Sequence, residues 1–359
     1  MAGFIKELTK QDGNFICYNL DTSSSFIDSI LDDYKCLPYV SFYYAIKANG
    51  NEKYLKLMSS KGVGADCASI EEINLAKRNK FNEISVTCPG FDGKEVRNII
   101  EQNIHFDVDN WGQLNDADLY DVNIGLRVDT EINESRFGFK IEELPSEDYL
   151  KDHRINIDTL HIHYGNKDEE SLISLINYVE KLLSTNKIFK NIRKLNIGGG
   201  IELFYISGKK EILKNGIIKL HDVIQSSLDY PVQIIMEPGT LFSIPVGYLN
   251  AKVKYVNKNK IYLGFSNFNL GEWNKLNILA VNGQLINVNN EAKYTYELYG
   301  NTCLEGDMFG KFSMPFEVKK GDDIILFPVG AYNYSLVRNL HSMPNPKIIY
   351  YENGEIIYD

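Results

Sequence analysis

Residues 40–67, VSFYYAIKANGNEKYLKLMSSKGVGADC, read as one strand–helix–strand unit. Val40–Ile46 is a short run rich in β-branched and aromatic residues, which pack well on a pleated surface. Asn51 stands before Glu52 as an N-cap followed by an acidic first turn, and a helical pattern covers Glu52–Lys61. Val63–Cys67 is strand-like again. The rhythm continues along the chain. Strands are predicted near Ile84–Thr87, Ile104–Val108, Val122–Val128, Thr159–Tyr164, Arg193–Ile197 and Val232–Met236. Helical patterns cover Ile70–Lys77 behind a Ser69 N-cap, then Gly93–Gln102, Glu169–Leu183 and Lys210–Ser226. Alternating strands and helices imply a parallel sheet. Eight such units fit an α/β fold of the closed (β/α)8, TIM-like barrel type.

After about Thr240 the rhythm changes. Asn250–Tyr255, Lys260–Gly264, Ile278–Val281, Tyr294–Tyr299, Asp323–Pro328 and Lys347–Tyr351 are short and β-rich, and turns such as Asn282-Gly283, Lys320-Gly321 and Asn353-Gly354 separate them. A C-terminal all-β domain is expected, sandwich- or barrel-like, which also takes the N-terminal strand Phe15–Leu20. The expected boundaries are 23–240 for the barrel, and 1–22 with 241–359 for the β domain.

The 359 residues are 44% hydrophobic and 24% charged, which excludes a disordered, collagenous or coiled-coil chain. The formal net charge is −10, whereas nucleic acid and anionic membranes require clustered Lys and Arg, so neither is an expected partner. No apolar run approaches the length of a spanning helix, and Met1–Lys10 does not read as a signal peptide. Five scattered cysteines without a Cys-x-x-Cys pair argue against a disulfide framework or a zinc site. A cytoplasmic location is expected.

In a barrel of this kind reactive groups gather at the C-terminal strand ends. Those ends carry Lys47, Asp66, Arg127, His163, Gly198-Gly199-Gly200 and Glu237. Each has an ordinary structural reading: a surface lysine, a helix cap, a surface arginine, a core histidine, a tight turn, a salt-bridged carboxylate. Each also has a chemical one. Lys47, directly after an apolar run, is a candidate imine-forming amine if desolvation lowers its pKa. Three residues without Cβ let backbone amides approach an anion such as a phosphate. On an alternating strand His161 and His163 face the same side, and a flat ring at the mouth can stack on an aromatic cofactor. Glu237 can hold a pyridinium nitrogen. Cys303, in Gly300–Asp307, is either a small buried hydrophobe or an exposed, loop-borne thiol. Tyr332 would ordinarily be packing.

These residues occur in a fixed order. Lys47 and its flanks are followed by Asp66-Cys67-Ala68-Ser69, Arg136-Phe137-Gly138, His163-Tyr164-Gly165, the glycine triplet, Glu237-Pro238-Gly239, the Cys303 loop and Gly330-Ala331-Tyr332. In this the chain resembles the fold-type III pyridoxal phosphate (PLP) decarboxylases, the ornithine, arginine and diaminopimelate decarboxylase group, over nearly its whole length. The resemblance implies that Lys47 holds PLP as an internal aldimine and that His163 stacks on the ring face away from the substrate. It implies that Gly198–Gly200 and Tyr332 bind the phosphate, with Asn166, Gly239 and Thr240 in the cofactor set. Glu237 would pair with the ring nitrogen, and Asp66 and Arg127 would surround lysine and ring. Cys303 would protonate the carbanion after CO2 leaves, and Leu304, Glu305 and Asp307 would meet the substrate. A small amino-acid substrate and a homodimer with shared active sites are implied as well.

Four departures stand out. Thr240 occupies a position where the group usually has a phosphate-binding Arg, so either weaker PLP affinity or another cation nearby is expected. Leu304 follows the cysteine where an acidic residue is common, with Glu305 one position later. Phe265–Leu276 lacks the usual distal-end motifs, and Asn166 replaces a usual Ser. The cofactor machinery thus reads as kept and the substrate end as rewritten. Two alternatives remain, a non-catalytic relative that binds a partner and a racemase-like PLP enzyme. Lys47 and Cys303 speak against the first. Glu237 speaks against the second, because racemase-like barrels commonly place Arg at the ring nitrogen.

Overall fold

The computed structural model describes residues 1–130, 135–270, 275–286, 291–338 and 340–358. Backbone contacts divide it into two units: Ile30–Lys47 with Leu55–Leu241, and Met1–Ser29 with Ala48–Tyr54 and Phe242–Asp359. The first strand, β1 (Phe15–Asn19), belongs to the second unit. The next eight are β2 (Val40–Ala45), β3 (Gly64–Cys67), β4 (Ile84–Val86), β5 (His105–Val108), β6 (Asn123–Arg127), β7 (Asn156–His161), β8 (Lys194–Asn196) and β9 (Gln233–Met236), and they form a closed barrel. Every neighbouring pair is parallel, and β2 closes the ring on β9 with Val40 opposite Ile234.

Local chemistry starts the helices of this unit. The Ser69 hydroxyl accepts from the Glu72 N–H, and Asp92 with Glu95 and Asp168 with Ser171 form reciprocal capping boxes. The predicted helices appear, three of them one or two residues longer and two one residue shorter. A helix over Leu20–Tyr34 escapes the sequence reading because its serines are poor helix formers. Ser23 and Ser25 donate back to Asn19 O and Asp21 O, and the Asn19 side chain caps Thr22 N at 2.8 Å. One strand assignment needs correction. The predicted Thr159–Tyr164 strand lies three residues too far along, and β7 ends at His161. His161 therefore closes the strand and His163 lies in the following loop, so the two are not alternate residues of one strand.

The second unit is mostly sheet. It contains β10 (Gly247–Asn257), β11 (Lys260–Leu263), β12 (Asn277–Val281), β13 (Gln284–Leu285), β14 (Tyr294–Tyr299), β15 (Met308–Met314), β16 (Asp323–Phe327), β17 (Lys347–Glu352) and β18 (Glu355–Ile357). The order is β13-β12-β16-β10-β1-β17-β18, with β11, β14 and β15 extending from β10. β1 lies between β10 and β17, as expected for the N-terminal strand. The unit is not purely β. A helix over Ala2–Leu8 sets Phe4, Ile5 and Leu8 against Phe15, Tyr248, Ile325 and Ile349. Asn282-Gly283 and Asn353-Gly354 turn the β12–β13 and β17–β18 hairpins with φ of 48°, 77°, 53° and 81°, the left-handed values of a two-residue hairpin turn.

The division also assigns Ala48–Tyr54 to the sheet unit, an excursion the sequence boundaries lacked. Asn49 Nδ2 donates to Gly330 O at 3.0 Å and Asn51 Nδ2 to the Tyr350 hydroxyl at 2.8 Å. Tyr54 Oη donates to Phe242 O at 2.5 Å. Among the described residues no helix is long and apolar enough to cross a membrane. Asn51 also accepts the Tyr54 N–H at 3.2 Å, so it is both helix cap and buried link. Asn51→Ala is expected to lower the unfolding free energy by about 1–3 kcal/mol, read as a lower urea midpoint at unchanged m-value.

Candidate active site

Parallel strands bring their carbonyl ends to one mouth, and there the barrel unit gathers charge. Lys47 sits in a single 3-10 turn after β2, its Nζ 3.7 Å from Asp66 Oδ2 on β3. Asp66 is buried, whereas the Lys47 side chain is 50% exposed. The protein alone therefore does not desolvate this amine, contrary to the expectation from its apolar flank. Burial and the nearby Glu237 carboxylate push the Asp66 carboxyl up to about 7, with Lys47 opposing them.

Glu237, just beyond β9, is buried. Its Oε1 accepts from Asn196 Nδ2 at 2.6 Å, and its Oε2 lies 3.8 Å from His161 Nε2. The other His161 nitrogen, Nδ1, is 2.8 Å from Asp107 Oδ2. Asp107 is itself buried, 2.6 Å from His105 Nε2 through Oδ1, and accepts the Thr87 hydroxyl at 3.2 Å. Although burial opposes it, the two imidazoles hold the Asp107 carboxyl well below the usual carboxylate range. Asp107 in turn helps to raise His105 against the effect of burial. Arg127 Nη1 lies 3.3 Å from Asp109 Oδ2, so its side chain is ion-paired at the mouth.

His163 has a neutral ring. Burial first, then the nearby Lys167, His161, Lys47 and Arg127, hold its pKa well below the ordinary value. Its Nδ1 has no hydrogen-bond partner among the described residues. A Cβ on Gly198 would stand 2.1 Å from that nitrogen. A Cβ on Gly199 would meet Glu237 O at 2.5 Å, and one on Gly200 would meet Gly165 O at 2.0 Å. The triplet is thus required by close approach, and Gly198 and Gly200 also have φ of 67° and 75°. Gly198 N donates to Asn196 Oδ1 at 2.9 Å, so its amide is spent, and the expected phosphate contact narrows to the amides that follow. Asn166 is exposed, Gly239 buried and Thr240 half-buried.

In the sheet unit, Cys303, Leu304 and Glu305 are exposed. Cys303 N donates to His341 Nε2 at 3.2 Å. Asp307 is different. It is buried and accepts from Asn267 N at 2.7 Å, Thr302 N at 3.0 Å and Thr302 Oγ1 at 2.7 Å. Its carboxylate oxygens are engaged in holding its own loop. Tyr332 has φ of 61° and donates its N–H to Ala48 O at 2.6 Å. Of Phe265–Leu276, residues 271–274 lie outside those described.

Residues 24–244 match the family described as pyridoxal-dependent decarboxylase, pyridoxal binding domain. The chain belongs to the pyridoxal-dependent decarboxylase family. Its similarity to curated relatives runs through most of its length. It is 25% identical to the diaminopimelate decarboxylase of Aquifex aeolicus, over 93% of this chain and 86% of that one. It is 24% identical to that of Staphylococcus aureus, over 87% and 82%. Solved structures share the fold. Diaminopimelate decarboxylase of M. jannaschii in complex with L-lysine aligns at TM-score 0.83 and 19% identity, covering 99% of this chain and 90% of that one. The Paramecium bursaria Chlorella virus arginine decarboxylase bound to agmatine aligns at 0.79 and 20%, covering 98% and 100%.

PLP is the cofactor of this decarboxylase family, and the barrel mouth fits it. An amine, a neutral ring with an unpartnered nitrogen, a buried carboxylate and a glycine turn that excludes every Cβ are the partners that an aldehyde, an aromatic ring, a ring nitrogen and a phosphate require. The sequence reading missed Asp107, Asn196 and Lys167. Asn196 carries a signal in hindsight, a polar residue next to the end of an apolar strand. Asp107 carries none, because its partners come from β5 and β7, far apart in the chain.

The raised Asp66 pKa gives a signed test. The folded state prefers the protonated carboxyl, so its stabilising contribution is full below about pH 4, the unfolded value, and is lost as pH rises through 7. In cofactor-free protein, Asp66→Asn should therefore raise Tm more at pH 8 than at pH 4, by roughly 2–6 °C, read by calorimetry.

Proposed function

We propose that this chain decarboxylates a small amino acid at a PLP site in which Lys47 holds the cofactor and Glu237 faces its ring nitrogen. The buried Glu237 carboxylate, held by Asn196 with His161 close by, carries the reading. When bound, PLP supplies the sink for the electron pair left at Cα as CO2 departs. The remaining work falls to the chain's own residues. Glu237 keeps a proton at the ring nitrogen, since a close carboxylate favours the positive form. Asn196 holds Glu237 in place by donating to Oε1 at 2.6 Å, while His161, itself set by Asp107, stands 3.8 Å from the other oxygen. His163, neutral and flat, covers one ring face. Asp66 and Arg127 set the charge around the amine, with Asp109 fixing Arg127. The amides after Gly198, with Asn166, Gly239, Thr240 and Tyr332, take the phosphate.

Cys303 is the proposed acid. Its Sγ–H gives the proton that Cα needs after the C–C bond breaks, and its thiolate is then reprotonated from solvent. Support comes from its exposure on a loop that Asp307 folds. Leu304 and Glu305 flank it and are proposed to meet the distal end of the substrate. Leu304 offers no charge to a distal ammonium at the position beside the thiol where an acidic residue is common in the group the chain resembles. The substrate class is therefore an amino acid whose distal group is not a simple amine. A homodimer, with the Cys303 loop of one subunit serving the other, completes the proposal.

Two substitutions test these roles. Lys47→Ala should remove the mass that borohydride fixes on the native protein and abolish CO2 release from a panel of amino acids, and full activity in that variant contradicts the reading. Cys303→Ala should retain the cofactor band while CO2 release falls roughly a hundredfold or more, or the product is misprotonated. Solvent-proton exchange at Cα without CO2 release would instead favour the racemase-like alternative.

A further inference from the structure

Lys167 is fully buried beside the glycine turn, and the proposed chemistry leaves it without a role. Its Nζ donates to Gly199 O at 2.5 Å, and its backbone N–H donates to Gly200 O at 2.6 Å. The Glu237 N–H donates to Gly198 O at 2.9 Å. Three consecutive carbonyls are thereby held. In a trans peptide the N–H points away from the C=O of the same unit. The amides that share these peptides belong to Gly199, Gly200 and Ile201, and among the described residues none has a protein acceptor. Successive backbone amides left open in this way form a concavity for an anion.

The ammonium itself is under-compensated. A buried lysine ordinarily sits against a carboxylate. Among the described residues no carboxylate oxygen lies within 4.0 Å of Lys167 Nζ. Of its three N–H donors, one has an acceptor there, and the Tyr164 ring centroid lies 4.8 Å away. Burial pushes its pKa down to about 8, while Glu237 and Glu202 act from farther off to raise it.

We infer that Lys167 is the positioning cation of the phosphate subsite, clamping the Gly199–Gly200 peptide by its carbonyl and lending positive charge through that peptide to the cofactor's phosphate monoester. Thr240 brings no charge, and Lys167 is the nearby cation that its neutrality calls for. This rests on the proposed function, because it requires PLP in the barrel mouth.

The test uses the full chain freed of cofactor. Dissociation constants for PLP and for pyridoxal, which lacks the phosphate, are measured by absorbance titration, with borohydride reduction and mass spectrometry reporting attachment at Lys47. Lys167→Met should weaken PLP roughly ten- to a hundredfold while leaving pyridoxal within about twofold. Lys167→Gln, which keeps a donor without charge, should fall between Met and native, and Lys167→Arg should stay near native. Equal losses for both ligands overturn the inference and make Lys167 a structural pin. Failure of the native protein to take up either ligand overturns the proposed function, and the inference with it. Should the variants not fold, a pH series on native protein decides. Glu202, Glu237, His163 and Tyr164 are the titratable groups facing Lys167, and His163 is already neutral while Tyr164 is raised to about 12. The preference for PLP over pyridoxal should then fall as pH rises above about 8, and a preference that stays flat there overturns the inference.

Discussion

A carboxylate can be taken out of water only where neighbouring groups hold its charge, and the barrel mouth is organised around that constraint at Glu237. Asn196 donates to one of its oxygens and His161 stands near the other. His161 is in turn set by Asp107, which His105 and Thr87 also engage. Side chains therefore alternate inward from the mouth as carboxylate, imidazole, carboxylate, imidazole, across β5, β7 and the end of β9. Asp66 lies outside this alternation, and burial first and the nearby Glu237 second push its carboxyl up.

The glycine turn answers the same constraint with backbone rather than side chains. Its carbonyls are occupied by Glu237 N, Lys167 Nζ and Lys167 N, and the amides of the same peptides are left open. Glycine is needed because His163, Glu237 and Gly165 approach where a Cβ would be. The two ends of the site are thus linked, since Glu237 contributes its carboxylate to one and its N–H to the other.

The sheet unit follows a different logic. Its reactive candidate, Cys303, stands on an exposed loop, and the buried charge that shapes this loop is Asp307. One acid with its oxygens committed to Thr302 and Asn267 fixes the loop and leaves Leu304 and Glu305 at the surface. A buried carboxylate with several backbone and hydroxyl donors is the usual way such a loop is held.

The amino-acid order alone determined the barrel, the mostly-sheet second unit and the membership of β1 in it, because strand and helix periodicities, caps and Asn-Gly turns are local properties of neighbouring residues. It also singled out Lys47, the glycine triplet and Glu237, which each follow a recognisable strand, and His163, which it placed inside one. Tertiary structure alone decided the rest. The end of β7 at His161, the attachment of residues 48–54 to the sheet unit, the half-exposed Lys47, the committed Gly198 amide and the buried Lys167 all depend on groups that meet across dozens of residues. Hydrogen bonds and desolvation act on distance in space, and sequence separation carries almost no information about that distance.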